Sequence, residues 1–133
     1  MAREVSKKTV DGWLKKAEEF YDTALKALED NKFDAATFNA TQAIFLANDA
    51  FCIKILGRRA SKDHREAINL HMQAASVVSD SSKKSVLAGV FDDRSESGYT
   101  ERFVKMEDAR IMVIQAKRFI EWVRDKARLR GVI

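Results

Sequence analysis

No proline occurs anywhere in the 133 residues, and only five glycines do. Proline removes a backbone donor and glycine loosens an ordered backbone, so a chain short of both can run in long helices. No sustained alternation of apolar and polar residues argues for strands. A single cysteine, Cys52, excludes an internal disulfide and points to a reducing cytoplasm. Apolar runs fall short of the roughly 20 residues that span a bilayer, so no membrane partner is expected. The opening MAREVSKK lacks the apolar centre of a secretory signal. The only two histidines, His64 and His71, stand seven residues apart, which puts them about 10 Å apart along a helix axis. Helical metal pairs stand three or four apart, and no CxxC is present, so neither a metal nor a cofactor is expected. A glycine-rich phosphate loop and a GxSxG elbow are also missing.

What the chain does have is 46% apolar and 33% charged residues, the balance of a globular chain with one domain over residues 1–133. The net charge of +4 gathers at one end: Lys117, Arg118, Arg124, Lys126, Arg128 and Arg130 stand against Glu121 and Asp125. Such an end attracts nucleic acid or an acidic partner at long range, and equally complements a helix dipole.

Leu14, Ala17, Tyr21, Ala24, Leu25 and Leu28 recur at three and four residues and predict a first helix, capped by Thr9 or Asp11 and ending at Asp30-Asn31. A connection of only a few residues implies an antiparallel hairpin with a second helix. Asp34 is the expected N-cap of that helix, with Phe33 and Phe38 spaced for a hydrophobic staple. The second helix should run to Leu56 and stop at Gly57. Its seam of Ala36, Ala40, Ala43, Ala47 and Ala50, with Phe45, Phe51 and Ile53 on other sides, makes it the central helix or one covered by a second subunit.

A third helix is predicted from His64 to Val78, with Ala67, Ile68, His71, Ala74 and Ala75 inward. A short helix from Lys83 to Phe91, a loop from Asp92 to Tyr99, and a last helix from Thr100–Met106 to Arg130 follow. The fold class is all-α: an antiparallel up-and-down four-helix bundle with an extra short helix.

The sharpest functional signal lies between the second and third helices. Arg58, Arg59 and Lys62 precede Asp63-His64-Arg65-Glu66, where Asp63 and Glu66 fit a capping box and place His64 and Arg65 in the first helical turn. A helix N-terminus offers free N–H groups and favours anions, so cations there make a phosphate site. Imidazole titrates near neutrality and can take a proton, while an arginine fork can clamp a phosphate. Those are the parts of a metal-free ribonuclease: a base for the 2′-hydroxyl and a cation for the phosphorane oxygens. Asp49, two turns from the end of the second helix, is a supporting polar residue that could reach the basic turn. Trp13 and Trp122 are expected to cover the core.

The stretch from Val10 to Asn69, WLKKAEEFYDTALKALEDNKFDAATFNATQAIFLANDAFCIKILGRRASKDHREAIN at its heart, resembles the HEPN domain family, helical domains of prokaryotic proteins and of the chaperone sacsin. The last helix, MEDARIMVIQAKRFIEWVRDKAR, is a weaker echo. The resemblance implies a helical bundle, a homodimer, and a motif of arginine, four to six residues, then histidine. Arg58 and Arg59 both stand in that window before His64. In active, toxin-like members the motif cleaves RNA without a metal. Other members serve as RNA-binding, nucleotide-binding or interaction modules, often beside a minimal nucleotidyltransferase. The resemblance thus implies Arg58, Arg59 and His64 as catalytic candidates, with Lys62 and Arg65 as phosphate- or RNA-binding residues.

Overall fold

The computed structural model describes residues 2–60, 63–97 and 103–128, with 91–97 through their backbone alone. The elements run β1 (Arg3–Glu4), a 3-10 turn (Lys7–Thr9), α1 (Val10–Glu29), α2 (Phe33–Leu56), β2 (Arg58–Arg59), α3 (His64–Val77), α4 (Lys84–Ser97) and α5 (Met106–Lys126). The molecule is a helical bundle. Helices α1, α3 and α5 are amphipathic, while α2 packs against α1, α3, α4 and α5.

The alanine seam of α2 is fully buried, from Ala36 through Ala50, and Ile44, Phe51 and Ile53 are buried with it. Small side chains let neighbouring helices approach while the bulky ones fill the flanks. Each large apolar side chain so enclosed stabilises the fold by about 1.5–3 kcal/mol. The α1–α2 hairpin turns at Asn31, whose φ of 60° is the left-handed conformation that asparagine tolerates. On α5, Phe119 and Trp122 are buried together with Ala109, Met112, Val113, Ala116, Ile120 and Val123. On α3, Leu70 is buried beside His71, Ala74 and Ala75, while Ala67 and Ile68 are partly buried.

Four local expectations need correction. Asp34 does not cap α2. The helix begins two residues earlier than that cap would place it, at Phe33, and the Asp34 carboxylate accepts the Val104 N–H at 3.1 Å instead, tying α2 to the segment ahead of α5. Phe38 is correspondingly exposed rather than stapled to Phe33. The expected loop over Asp92–Tyr99 is helical as far as Ser97, because the polar run DDRSES holds neither proline nor glycine to stop α4. Residues 98–102 lie outside the described residues. At the other end of the chain, α5 stops at Lys126 rather than Arg130, and Arg128 turns to a φ of 54°.

The fourth correction bears on function. Arg3–Glu4 and Arg58–Arg59 form an antiparallel two-stranded ribbon in which Arg3 faces Arg59 and Glu4 faces Arg58. The Val5 N–H donates to the Gly57 carbonyl at 2.8 Å and extends the pairing. Gly57 itself sits at φ 71° and sends its N–H back to the Ile53 carbonyl, ending α2 and turning the chain into β2. A side chain at that φ costs about 1–2 kcal/mol. A Cβ there would meet Lys7 Cε at 3.7 Å, an ordinary contact, so strain rather than collision sets the penalty. Gly57→Ala should therefore lower unfolding free energy by that amount, measured by urea denaturation. A loss under a few tenths would mean that the turn relaxes to another conformation.

Candidate phosphate-binding site

The ribbon fixes the backbone of the two arginines and sends their side chains to different helices. Arg58 Nη2 donates to Gln73 Oε1 on α3 at 3.1 Å. Arg59 turns toward α1 and α2. Its guanidinium carbon lies 4.3 Å from the centre of the Trp13 ring, and its Nε stands 3.7 Å from Asp49 Oδ2. Stacking on an indole at that range stabilises a guanidinium by about 0.5–1 kcal/mol where water still reaches it. The Asp49 contact is longer than a hydrogen bond, so Nε is buried without a hydrogen-bond acceptor and the attraction is purely electrostatic. Burial pushes the Asp49 carboxyl up to about 6, against the opposing pull of Arg59.

After β2 the chain reaches α3 through Ala60, which is buried. Lys62, a candidate from the sequence, lies outside the described residues. Asp63 caps α3 with extended backbone, its carboxylate accepting the Arg65 N–H at 2.9 Å. His64 and Arg65 open the helix with exposed side chains. Arg59, Asp49 and Trp13 thus form one cluster, Arg58 forms a second contact with Gln73, and the candidate base sits on the next helical turn.

Sequence reasoning missed what the amino-terminal segment adds. Arg3 lies across the ribbon from Arg59, and the Lys7 side chain runs beside Gly57. The only sign of this was the basic composition of MAREVSKK, which says nothing about where the segment lands. Trp13, expected to cover the core, does so with one part and supports Arg59 with its ring face.

The second histidine belongs to a different environment. His71 is fully buried among the rings of Phe51, Phe119 and Trp122, with centroids 5.5–6.0 Å away. Its Nδ1 lies 2.8 Å from Asn48 Oδ1, an acceptor toward which the Cys52 thiol also points at 3.8 Å. With Oδ1 accepting, Nδ1 carries the proton. Burial lowers the His71 pKa to about 4, so the ring is neutral at ordinary pH. Burial raises the Cys52 thiol and keeps it protonated, unsuited to nucleophilic work. This polar trio stitches α2 to α3. A cavity of about 360 Å³, lined by His71, Met72, Ser76, Asp80 and Lys84 among others, opens at this far end of α3.

Among the described residues no helix is long and apolar enough to cross a membrane. The architecture defines an all-helical bundle with a basic ribbon running into a capped, histidine-led helix. The chain belongs to the HEPN domain family, whose model matches residues 10–126. A comparison with curated proteins returns no match.

Proposed function

We propose that this HEPN domain binds RNA through the phosphates that meet Arg58, Arg59, Lys62 and Arg65, and cleaves it without a metal, His64 serving as the base. The observation that carries the reading is the pairing of β2 with β1, which holds two arginines on fixed backbone just ahead of a capped helix that opens on an exposed histidine. Membership in a family often linked to ribonuclease activity supports it.

In the proposed step His64 removes the 2′-hydroxyl proton and that oxygen attacks the adjacent phosphorus. The bond to the 5′-oxygen breaks, and the departing oxygen takes a proton from water. The products are a 2′,3′-cyclic phosphate and a 5′-hydroxyl end. Arginine holds the non-bridging oxygens as charge builds on them, which is where fixed cations contribute most. Asp49 keeps Arg59 oriented, and Gln73 does the same for Arg58.

The test is cleavage of labelled mixed RNA in EDTA. Wild type should cut it, and His64→Ala should be slower by about 10²-fold, the lower range for loss of a general base. Arg58→Ala and Arg59→Ala should weaken binding and flatten its salt dependence. Equal cleavage by wild type and His64→Ala would remove His64 from the mechanism.

A second reading rests on a different observation. Phe38, Met106, Ile111 and Ile114 are large apolar residues left exposed on α2 and α5. On this reading the domain is a non-catalytic dimerisation or interaction module, with a homodimer mate or a minimal nucleotidyltransferase as partner. It predicts a stable oligomer and indifference of all RNA chemistry to His64→Ala.

A further inference from the structure

We infer that the β1–β2 ribbon is itself a phosphate seat, in which Arg3 and Arg59 grip one phosphate group from opposite strands. The inference rests on the RNA-binding reading above, and it extends the site to a residue before the family-matched span of 10–126.

Directly opposed residues in an antiparallel ribbon project to the same face, so the register puts Arg3 beside Arg59 and Glu4 beside Arg58. One face therefore carries an opposite-charge pair, which favours the ribbon, and the other a like-charge pair, which opposes it. Two arginines facing each other across a ribbon of two-residue strands weaken the element that carries them. An anion placed between them reverses the sign of that interaction.

Arg59 is built to receive such an anion. Trp13 covers one part of the guanidinium at 4.3 Å, and Asp49 meets only the Nε edge, at 3.7 Å. A bidentate carboxylate would consume the whole fork, whereas this single-edged contact orients the group and leaves its terminal nitrogens for another acceptor. The Arg59 side chain retains 25% of its exposure, and Arg3 is exposed. Lys7, beside Gly57 at the foot of the ribbon, adds positive field from the same segment. The ligand chemistry is a phosphate, carried either by the backbone of a single-stranded RNA or by a free nucleotide.

The test measures affinity against salt concentration for a short single-stranded RNA and, separately, a nucleoside monophosphate. It uses wild type, Arg3→Ala, Arg3→Lys and the remote exposed control Lys26→Ala. Losing one phosphate contact with a single strand flattens the log–log salt slope by about 0.7. Arg3→Ala should show that change with a several-fold weaker affinity at low salt, while Arg3→Lys keeps the slope and Lys26→Ala matches wild type. Because the strands pair through backbone groups, Arg3→Ala should not lower Tm, and relief of repulsion should hold or raise it. A nucleotide that responds to Arg3→Ala when RNA does not would support the seat with free nucleotide as its occupant. Failure of wild type to bind either probe would overturn both the seat and the RNA reading. Binding by wild type with Arg3→Ala indistinguishable from Lys26→Ala would overturn the seat alone.

Discussion

Phe51→Ala is expected to lower unfolding free energy by about 3–5 kcal/mol, the range for removing a fully buried phenylalanine. For a chain of this length that is a drop of roughly 10–20 °C in Tm. The size follows from position. Phe51 is fully buried on α2, its ring 4.8 Å edge-on from Trp122 of α5 and 5.5 Å from His71 of α3. It is the point where three helices meet. Trp122 in turn donates its indole N–H to Asp80 at 2.9 Å. Asp80 also accepts the Ser82 N–H at 2.9 Å and pairs with Lys126 at 3.3 Å, fixing the turn between α3 and α4. A void at Phe51 would slacken that whole chain of contacts and with it the seating of α3, the helix that carries His64. Phe51→Leu, which keeps most of the volume, should cost less than about 1.5 kcal/mol. Urea denaturation of both variants checks the claim. A loss below about 1 kcal/mol for Phe51→Ala would show that neighbouring side chains collapse into the space and that the cluster is not where the bundle is locked.

The periodicity of α1, the alanine seam of α2 and the glycine stop at Gly57 were legible because each is a local pattern with one physical reading. Asp63 as the cap of α3 was legible for the same reason. The ribbon was not. Strands of two residues leave no alternation to detect, and the pairing joins Arg3 to Arg59 across the whole of α1 and α2. Without the ribbon, the arginines read as a loose turn after a glycine. In the fold each has fixed backbone and a named neighbour, Gln73 for Arg58, and Asp49 with Trp13 for Arg59. Asp49 could be singled out as a polar residue near the end of an apolar helix, but its indole-backed partner could not. The length of α4 was also hidden, since its apolar period ends near Phe91 while the polar residues after it simply continue the helix. His71 could be assigned an inward face; its bond to Asn48, 23 positions away, depends on how α2 and α3 cross.

Asp49→Asn should convert a fold that is nearly indifferent to mild acid into one that loses about 3 kcal/mol between pH 6.5 and 4. Two buried groups oppose each other across that window. His71 has a pKa of about 4 in the fold against 6.5 ordinarily, so the unfolded chain takes up its proton first and stability falls as pH drops through the interval. Asp49 is the reverse case. Its carboxyl is pushed up from 3.8 to about 6, so the folded chain takes up the proton first and stability rises as pH drops below about 6. Each shift exceeds two pH units and corresponds to about 3 kcal/mol, so the two contributions nearly cancel in the wild type. Asp80, held below the usual carboxylate range chiefly by its hydrogen bonds to Ser82 and Trp122, keeps its stabilising contribution until the pH falls under 3.8. Asparagine at 49 removes the compensating gain and exposes the His71 loss. Urea midpoints at a series of pH values would show a flat wild type and a sloping variant; parallel profiles would mean that Asp49 does not hold its proton in the fold. The same protonation bears on the site. Below its pKa of about 6 Asp49 no longer holds Arg59 in place by charge, so wild-type affinity for RNA should fall relative to neutral pH by more than that of Asp49→Asn, whose Arg59 already lacks that anchor. Any other titration on the surface is common to both proteins, and the difference between them isolates the Asp49–Arg59 pair.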